Sequence, residues 1–142
     1  MSRSYISKQL RERIAAQARY RCGYCLTQEK VIGMPMEIDH IIPEAQAGET
    51  VEDNLWLACS LCNAYKGEQT YAFDPISNEI VPLFNPRTQH WHDHFGWNQM
   101  GDEMIGRTAT GRATVVALRL NRELLVEARR GWVAAGWHPP QD

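Results

Sequence analysis

The sequence predicts an α+β fold: a strand, turn and helix enclosed by a cysteine clamp, preceded by an amphipathic helix and followed by strands and a last helix. Three observations predict it. Four cysteines fall in two C-x-x-C pairs, Cys22/Cys25 and Cys59/Cys62, with 33 residues between Cys25 and Cys59. Between the pairs an apolar run, Met36 to Pro43, carries the dipeptide Asp39-His40 near its end. The flanking segments show helical spacing at the N-terminal side and strand-like alternation at the C-terminal side.

A C-x-x-C pair sets two sulfurs on one tight turn, where both reach a single ion. Two pairs therefore supply the four soft ligands of a closed tetrahedral zinc site. Disulfides or buried free thiols are the alternatives. Residues 1–17 carry charges throughout and no apolar run of signal length, so a cytoplasmic chain with reduced thiols is expected, which favours the metal. Four sulfurs leave no position open for substrate, so such a zinc site would be structural. The 33 enclosed residues exceed what a minimal zinc ribbon needs and must form a substructure of their own.

Within that substructure, Met36-Glu37-Ile38-Asp39-His40-Ile41-Ile42-Pro43 reads as a buried strand. Adjacent strand residues face opposite ways, so Asp39 and His40 would not share a task. A carboxylate can hold a hard cation, and an imidazole can accept a proton from water. Residues 44–50, with Gly48, read as a turn, and 52–57 lead back to the second cysteine pair. Asn63-Ala-Tyr-Lys66-Gly67 resembles the opening of a helix, with Asn63 and Lys66 on one face. Taken singly, an Asp-His pair in a strand is more often structural than catalytic, and an asparagine after a cysteine is more often a cap. Their joint placement inside the clamp points to a reactive centre.

The series Cys22-x-x-Cys25, Asp39-His40-Ile-Ile-Pro43, Asn54-Leu55, Cys59-x-x-Cys62-Asn63-x-x-Lys66 resembles the HNH endonuclease family in its zinc-clamped form. The resemblance covers roughly residues 20 to 70 and implies a ββα-metal finger, a hairpin and a helix gripping one divalent cation. It implies His40 as general base, Asp39 and Asn63 as ligands of a catalytic Mg2+ or Mn2+, and Asn54 as the brace that holds the hairpin loop and orients His40. Cys22, Cys25, Cys59 and Cys62 would hold the structural Zn2+, and Lys66 is a candidate phosphate contact. The last position of the motif, often histidine, is Asn63; its carbonyl oxygen suits magnesium or manganese better than soft ions. The implied activity is hydrolysis of DNA phosphodiester bonds, most readily in duplex DNA, by a one-metal mechanism. One finger makes one cut, so a double-strand break would need two copies or successive nicks. The competing readings are a zinc-stabilised module that grips nucleic acid without cutting it, and a structural zinc protein with a protein partner. Intact Asp39, His40 and Asn63 argue for the nuclease.

The formal net charge of −2 hides a division along the chain. Residues 1–30 carry +5, residues 31–103 carry −10 and residues 104–142 carry +3. An acidic middle suits a cation site, and basic ends suit phosphates, although charge runs are commonly just solvated faces. No stretch approaches membrane-spanning length. The clamp and its leading helix form one region, residues 1–72, and residues 73–142 an accessory extension packed on it.

Ser4 to Tyr20 is predicted helical, with Ile6, Leu10, Ile14 and Ala18 on one stripe. Asp74-Pro75 and Asn85-Pro86 mark turns around a short strand, residues 79–84. The alternating His90, His92 and His94 would align only in a strand; the interleaved Trp91, Phe95 and Trp97 favour core packing over a second metal. Residues 104–120 alternate well enough for two strands with a turn near Thr110-Gly111. Asn121 would cap a last helix, Arg122 to Ala135, with Leu124, Leu125, Ala128 and Trp132 inward. This tail resembles an extension that follows the motif in some bacterial HNH proteins. Its arginines at 107, 112, 119, 122, 129 and 130 would grip DNA.

Overall fold

The computed structural model describes residues 5–141; Ser4, where the first helix is expected to begin, lies outside them. Helix α1 spans Lys8–Gln17, and the Ser7 hydroxyl caps it by accepting from the Leu10 amide at 3.1 Å. Ile14 and Ala18 are buried and Ile6 and Leu10 pack against the same core, as the stripe predicts. Arg19 and Tyr20 adopt left-handed conformations that turn the chain into the first cysteine pair. A one-turn helix, α2 (Glu29–Ile32), follows and ends at Gly33.

Strand β1 (Glu37–His40) pairs antiparallel with β2 (Leu55–Ala58), setting Asp39 opposite Trp56 and His40 opposite Leu55. The loop between them holds two 3-10 turns, Glu44–Gln46 and Glu52–Asn54. It folds back tightly enough at Gly48 that a Cβ there would run into the Ile42 carbonyl. Helix α3 spans Ser60–Lys66. It starts at the second cysteine pair, so Asn63 to Lys66 form its end and not its opening, and Gly67 (φ 53°) terminates it.

The C-terminal half departs further from expectation. The strand after Asp74 has a partner that the turn signals did not reveal: β3 (Tyr71–Asp74) pairs with β4 (Glu79–Pro82). Asp74 closes this hairpin by accepting from the Ile76 and Ser77 amides, each at 3.2 Å. Helix α4 (Trp91–His94) leads into β5 (Phe95–Trp97), which pairs with β6 (Met104–Gly106). Where a second strand was expected, the chain forms helix α5 (Ala109–Ala117). The Thr108 hydroxyl caps it, accepting from the Gly111 amide at 3.0 Å. Ala113, Thr114 and Leu118 turn inward at helical spacing, so the short apolar run satisfied both periods and the cap decided between them.

Helix α6 spans Glu123–Ala135 with Arg122, not Asn121, in the capping position. Asn121 is used across the fold: its side chain accepts from the Met104 amide and donates to the Met104 carbonyl, at 2.7 and 2.9 Å. Leu125 is buried and Trp132 packs on the core as expected, but Leu124 is 79% exposed. One apolar core draws on both halves, joining Ile14, Tyr24, Leu55 and Leu57 with Phe84, Phe95, Leu118 and Leu120. The Trp91 indole donates to the Tyr24 carbonyl (2.9 Å) and Arg87 to that of Leu55 (3.1 Å), tying the extension to the cysteine-bearing half. No described helix is long and apolar enough to cross a membrane.

Candidate metal centre and active-site residues

Each C-x-x-C pair forms a turn in which backbone amides point at the first sulfur. The Tyr24 and Cys25 amides donate to Cys22 Sγ at 3.4 and 3.5 Å, and the Cys62 amide donates to Cys59 Sγ at 3.4 Å. Leu26 takes a left-handed conformation (φ 59°) to complete the first turn. The four sulfurs lie within 4.8 Å of one another, and Cys25 Sγ is 3.7 Å from Cys59 Sγ. A disulfide needs about 2.05 Å. Sulfurs around a tetrahedral zinc at about 2.3 Å stand about 3.8 Å apart. The quartet therefore fits one zinc ion, and the four thiols are free. Burial pushes the Cys22 thiol up, while hydrogen bonds with Cys22, Cys59 and Cys62 bring Cys25 down.

The two enclosed residues face opposite ways. Asp39 turns inward and is 2% exposed. Its Oδ2 accepts from the Tyr24 hydroxyl at 2.7 Å, and its Oδ1 lies 3.1 Å from Lys66 Nζ. Burial raises the Asp39 pKa above the ordinary carboxylate value, against the pull of Lys66 and Tyr24. Lys66 also donates to the carbonyls of His40 (2.9 Å) and Ile41 (3.2 Å). It is 2% exposed, so the structure makes it an internal tie between α3 and the end of β1 and not the surface phosphate contact expected of it.

His40 faces the other way, with its side chain 18% exposed. Its Nε2 is 2.9 Å from Thr50 Oγ1 and 3.7 Å from Glu44 Oε1. The loop that carries Thr50 is stapled by Asn54, whose Oδ1 accepts from the Ile42 amide (2.9 Å) and whose Nδ2 donates to the carbonyls of Ile42 (3.0 Å) and Glu49 (2.9 Å). Asn54 thus braces the loop and reaches His40 through Thr50. A cleft of about 340 Å³, lined by Ile6, Arg11, Glu37, Ile38, His40 and Glu44, opens beside the imidazole. Asn63 faces β1 from α3, and its Nδ2 donates to Glu37 Oε1 at 2.8 Å.

Asn63 and Lys66 share the helix face that meets Glu37 and Asp39, as their spacing predicts. For a hard cation this face offers the Asn63 carbonyl oxygen, Glu37, and the lone pairs of Asp39 not engaged by Tyr24 and Lys66. Tyr24, Thr50 and Glu37 escape a reading by motif. Tyr24 is hidden as a spacer inside C-x-x-C, Thr50 is an ordinary loop residue, and only the strand period could have flagged Glu37 as sharing the Asp39 face.

The six tail arginines take separate roles. Arg112 grips Asp74 with two bonds of 2.9 Å, and its hydrogen bonds hold that carboxyl well below the usual range. Arg130 pairs with Asp102 at 2.8 Å. Arg129 is buried, stacked 5.0 Å from the Trp97 ring centroid, and Arg122 lies 3.9 Å from two cysteine sulfurs. Arg107 and Arg119 remain exposed, and Arg119 stacks on Tyr65 of α3 at 4.9 Å. The histidines at 90, 92 and 94 do not converge: among the described residues the cysteine quartet alone gathers three or more metal-ligating side chains. His94 is instead bonded to Thr108 Oγ1 at 2.7 Å.

The sequence model of the HNH endonuclease family matches residues 22–69. Neither a curated protein nor a solved structure matches the chain.

Proposed function

We propose, from the match of residues 22–69 to the HNH endonuclease family, that the protein is a metal-dependent endonuclease that hydrolyses DNA phosphodiester bonds. The observation that carries this reading is the position of His40. It stands on the outward face of β1, beside an open cleft and against Thr50 of the loop that Asn54 staples, within the segment that matches the HNH endonuclease family.

Hydrolysis needs a base to take a proton from the attacking water, and His40 is in reach of solvent to do so. Thr50 fixes its Nε2 position, and the hydroxyl can rotate to serve as donor or acceptor. Asn54 acts at one remove, by holding the loop that presents Thr50. Asp39 and Asn63 would hold the divalent cation, Mg2+ or Mn2+, with Glu37 as a further carboxylate on the same face. When bound, that cation supplies Lewis acidity to a phosphate oxygen and to the leaving oxygen. Lys66 and Tyr24 fix the Asp39 carboxylate in place. The cysteine quartet, with zinc, holds the hairpin against α3 and takes no part in chemistry. In the extension, Arg119, fixed on Tyr65 beside α3, is the side chain best placed to meet a phosphate backbone.

A plasmid-nicking assay with Mg2+, Mn2+ and EDTA tests the reading. Cleavage that needs the divalent cation and disappears in His40→Ala supports it. Wild-type protein that holds zinc and binds DNA but never cuts, under either metal, would make it a binding module.

A further inference from the structure

Arg122 belongs to the extension, yet its guanidinium reaches the clamp. Nη2 lies 3.9 Å from Cys59 Sγ and Nη1 lies 3.9 Å from Cys62 Sγ. The same group donates to the carbonyls of Leu118 (3.5 Å) and Arg119 (3.3 Å) and faces the Tyr65 ring at 5.7 Å, so it is held in place and not merely near. Arg122 is also the residue from which α6 starts. Two turns further along α6, Arg129 is fully buried. Its Nη1 donates to the Asp102 carbonyl (3.1 Å) and to Asn121 Oδ1 (3.2 Å), while Nε and Nη2 have no hydrogen-bond partner. Among the described residues no carboxylate is hydrogen-bonded to it; Asp102, whose carbonyl it meets, gives its Oδ2 to Arg130.

A buried guanidinium is costly without a counter-charge. Four neutral thiols supply none. Four thiolates around a dication carry two net negative charges; Arg122 meets the sulfurs directly, and Arg129 lies within electrostatic range of Cys25 and Cys62. Each partner thus needs the other: the loaded quartet needs cations in a region screened from water, and α6 needs an anion for its inward arginines.

We propose that Arg122, supported by Arg129, acts as an outer cation of the cysteine site, so that zinc loading and docking of the C-terminal helix are coupled. The proposal rests on the reading of the quartet as a zinc site. Coupling between two events is reciprocal. Weakening the arginine must therefore loosen the metal, and the helix must dock less firmly where that charge is missing.

The test is zinc retention, measured on the full chain by competition with a chromophoric chelator, together with amide hydrogen exchange of residues 123–135. Arg122→Gln is expected to lower zinc affinity by about tenfold, the low end for loss of an outer partner of a metal ligand. It should also speed exchange in α6 while zinc is still bound. Arg122→Lys, which keeps the charge, should recover most of the affinity; a merely steric role would not give that ordering. If Arg122→Gln competes for zinc as wild type does, the coupling is overturned and the zinc site stands. If wild-type protein binds no zinc, both the zinc reading and the coupling fall.

Discussion

Lys66 Nζ lies 3.1 Å from Asp39 Oδ1, with both side chains almost wholly out of solvent. The ammonium also serves two carbonyls where β1 ends, so one lysine joins the strand and the helix that carry the candidate cation ligands. Removing one partner of a buried pair strands the other charge. Lys66→Met should destabilise the protein by about 3–5 kcal/mol, measured by urea unfolding. An unchanged midpoint would mean that Lys66 works at the surface and not in the fold.

His40→Ala should lower nicking activity by about 10²–10⁴-fold, the usual worth of a general base. Because the partners of His40 are a hydroxyl and a distant carboxylate, and it bonds no cysteine, zinc content and thermal midpoint should stay near wild type. Activity at the parental rate would remove His40 from the role of base.

Asn54→Ala deletes three hydrogen bonds from the loop between β1 and β2. At about 0.5–1.5 kcal/mol each, the loss should be about 1.5–4.5 kcal/mol. Activity should fall more than stability suggests, since Thr50 would no longer hold His40. The two effects separate in a comparison of nicking rate with unfolding free energy; a rate loss no greater than that of a neutral loop variant would deny Asn54 its positioning role.

The Asp74–Arg112 pair makes stability sensitive to acid. Arg112 holds the Asp74 carboxyl below its unfolded value. The contribution is therefore fully present above about pH 4, the unfolded carboxylate value, and is lost as pH falls through the depressed folded value. Asp74→Asn should lower the thermal midpoint at neutral pH, and the gap to wild type should narrow in strong acid. A gap that stays constant with pH would show that the carboxylate charge is not what matters.

Arg119→Gln should weaken DNA binding across sequences and reduce the salt dependence of log affinity by about one unit of slope, as for one phosphate contact. Zinc content should be unchanged, which separates Arg119 from Arg122. A wild-type salt slope would leave the extension without this contact.

Much of the cysteine-bearing half was legible because its chemistry is local. The cysteine pairs, the Asp39-His40 dipeptide, the strand period around them and the shared helix face of Asn63 and Lys66 are all set within a few residues. The extension was less legible for a specific reason. Residues 109–117 form a helix too short for its apolar period to exclude a strand, and the Thr108 cap that decides it was not read. Asn121 and Leu124 looked like a cap and a core residue, but Asn121 is claimed by Met104, 17 positions earlier, and Leu124 is left to solvent.

Which residues could form a metal clamp and a hairpin can be read along the chain, because ligand type, spacing and strand alternation are properties of sequence neighbours. Which charges are buried depends instead on contacts between distant segments. Folding took Lys66 inside to Asp39, bound Arg112 to Asp74 and laid Arg122 on the cysteine sulfurs. Six similar arginines and one lysine cannot be told apart by pattern, since what separates them is the counter-charge that folding brings within a few ångströms.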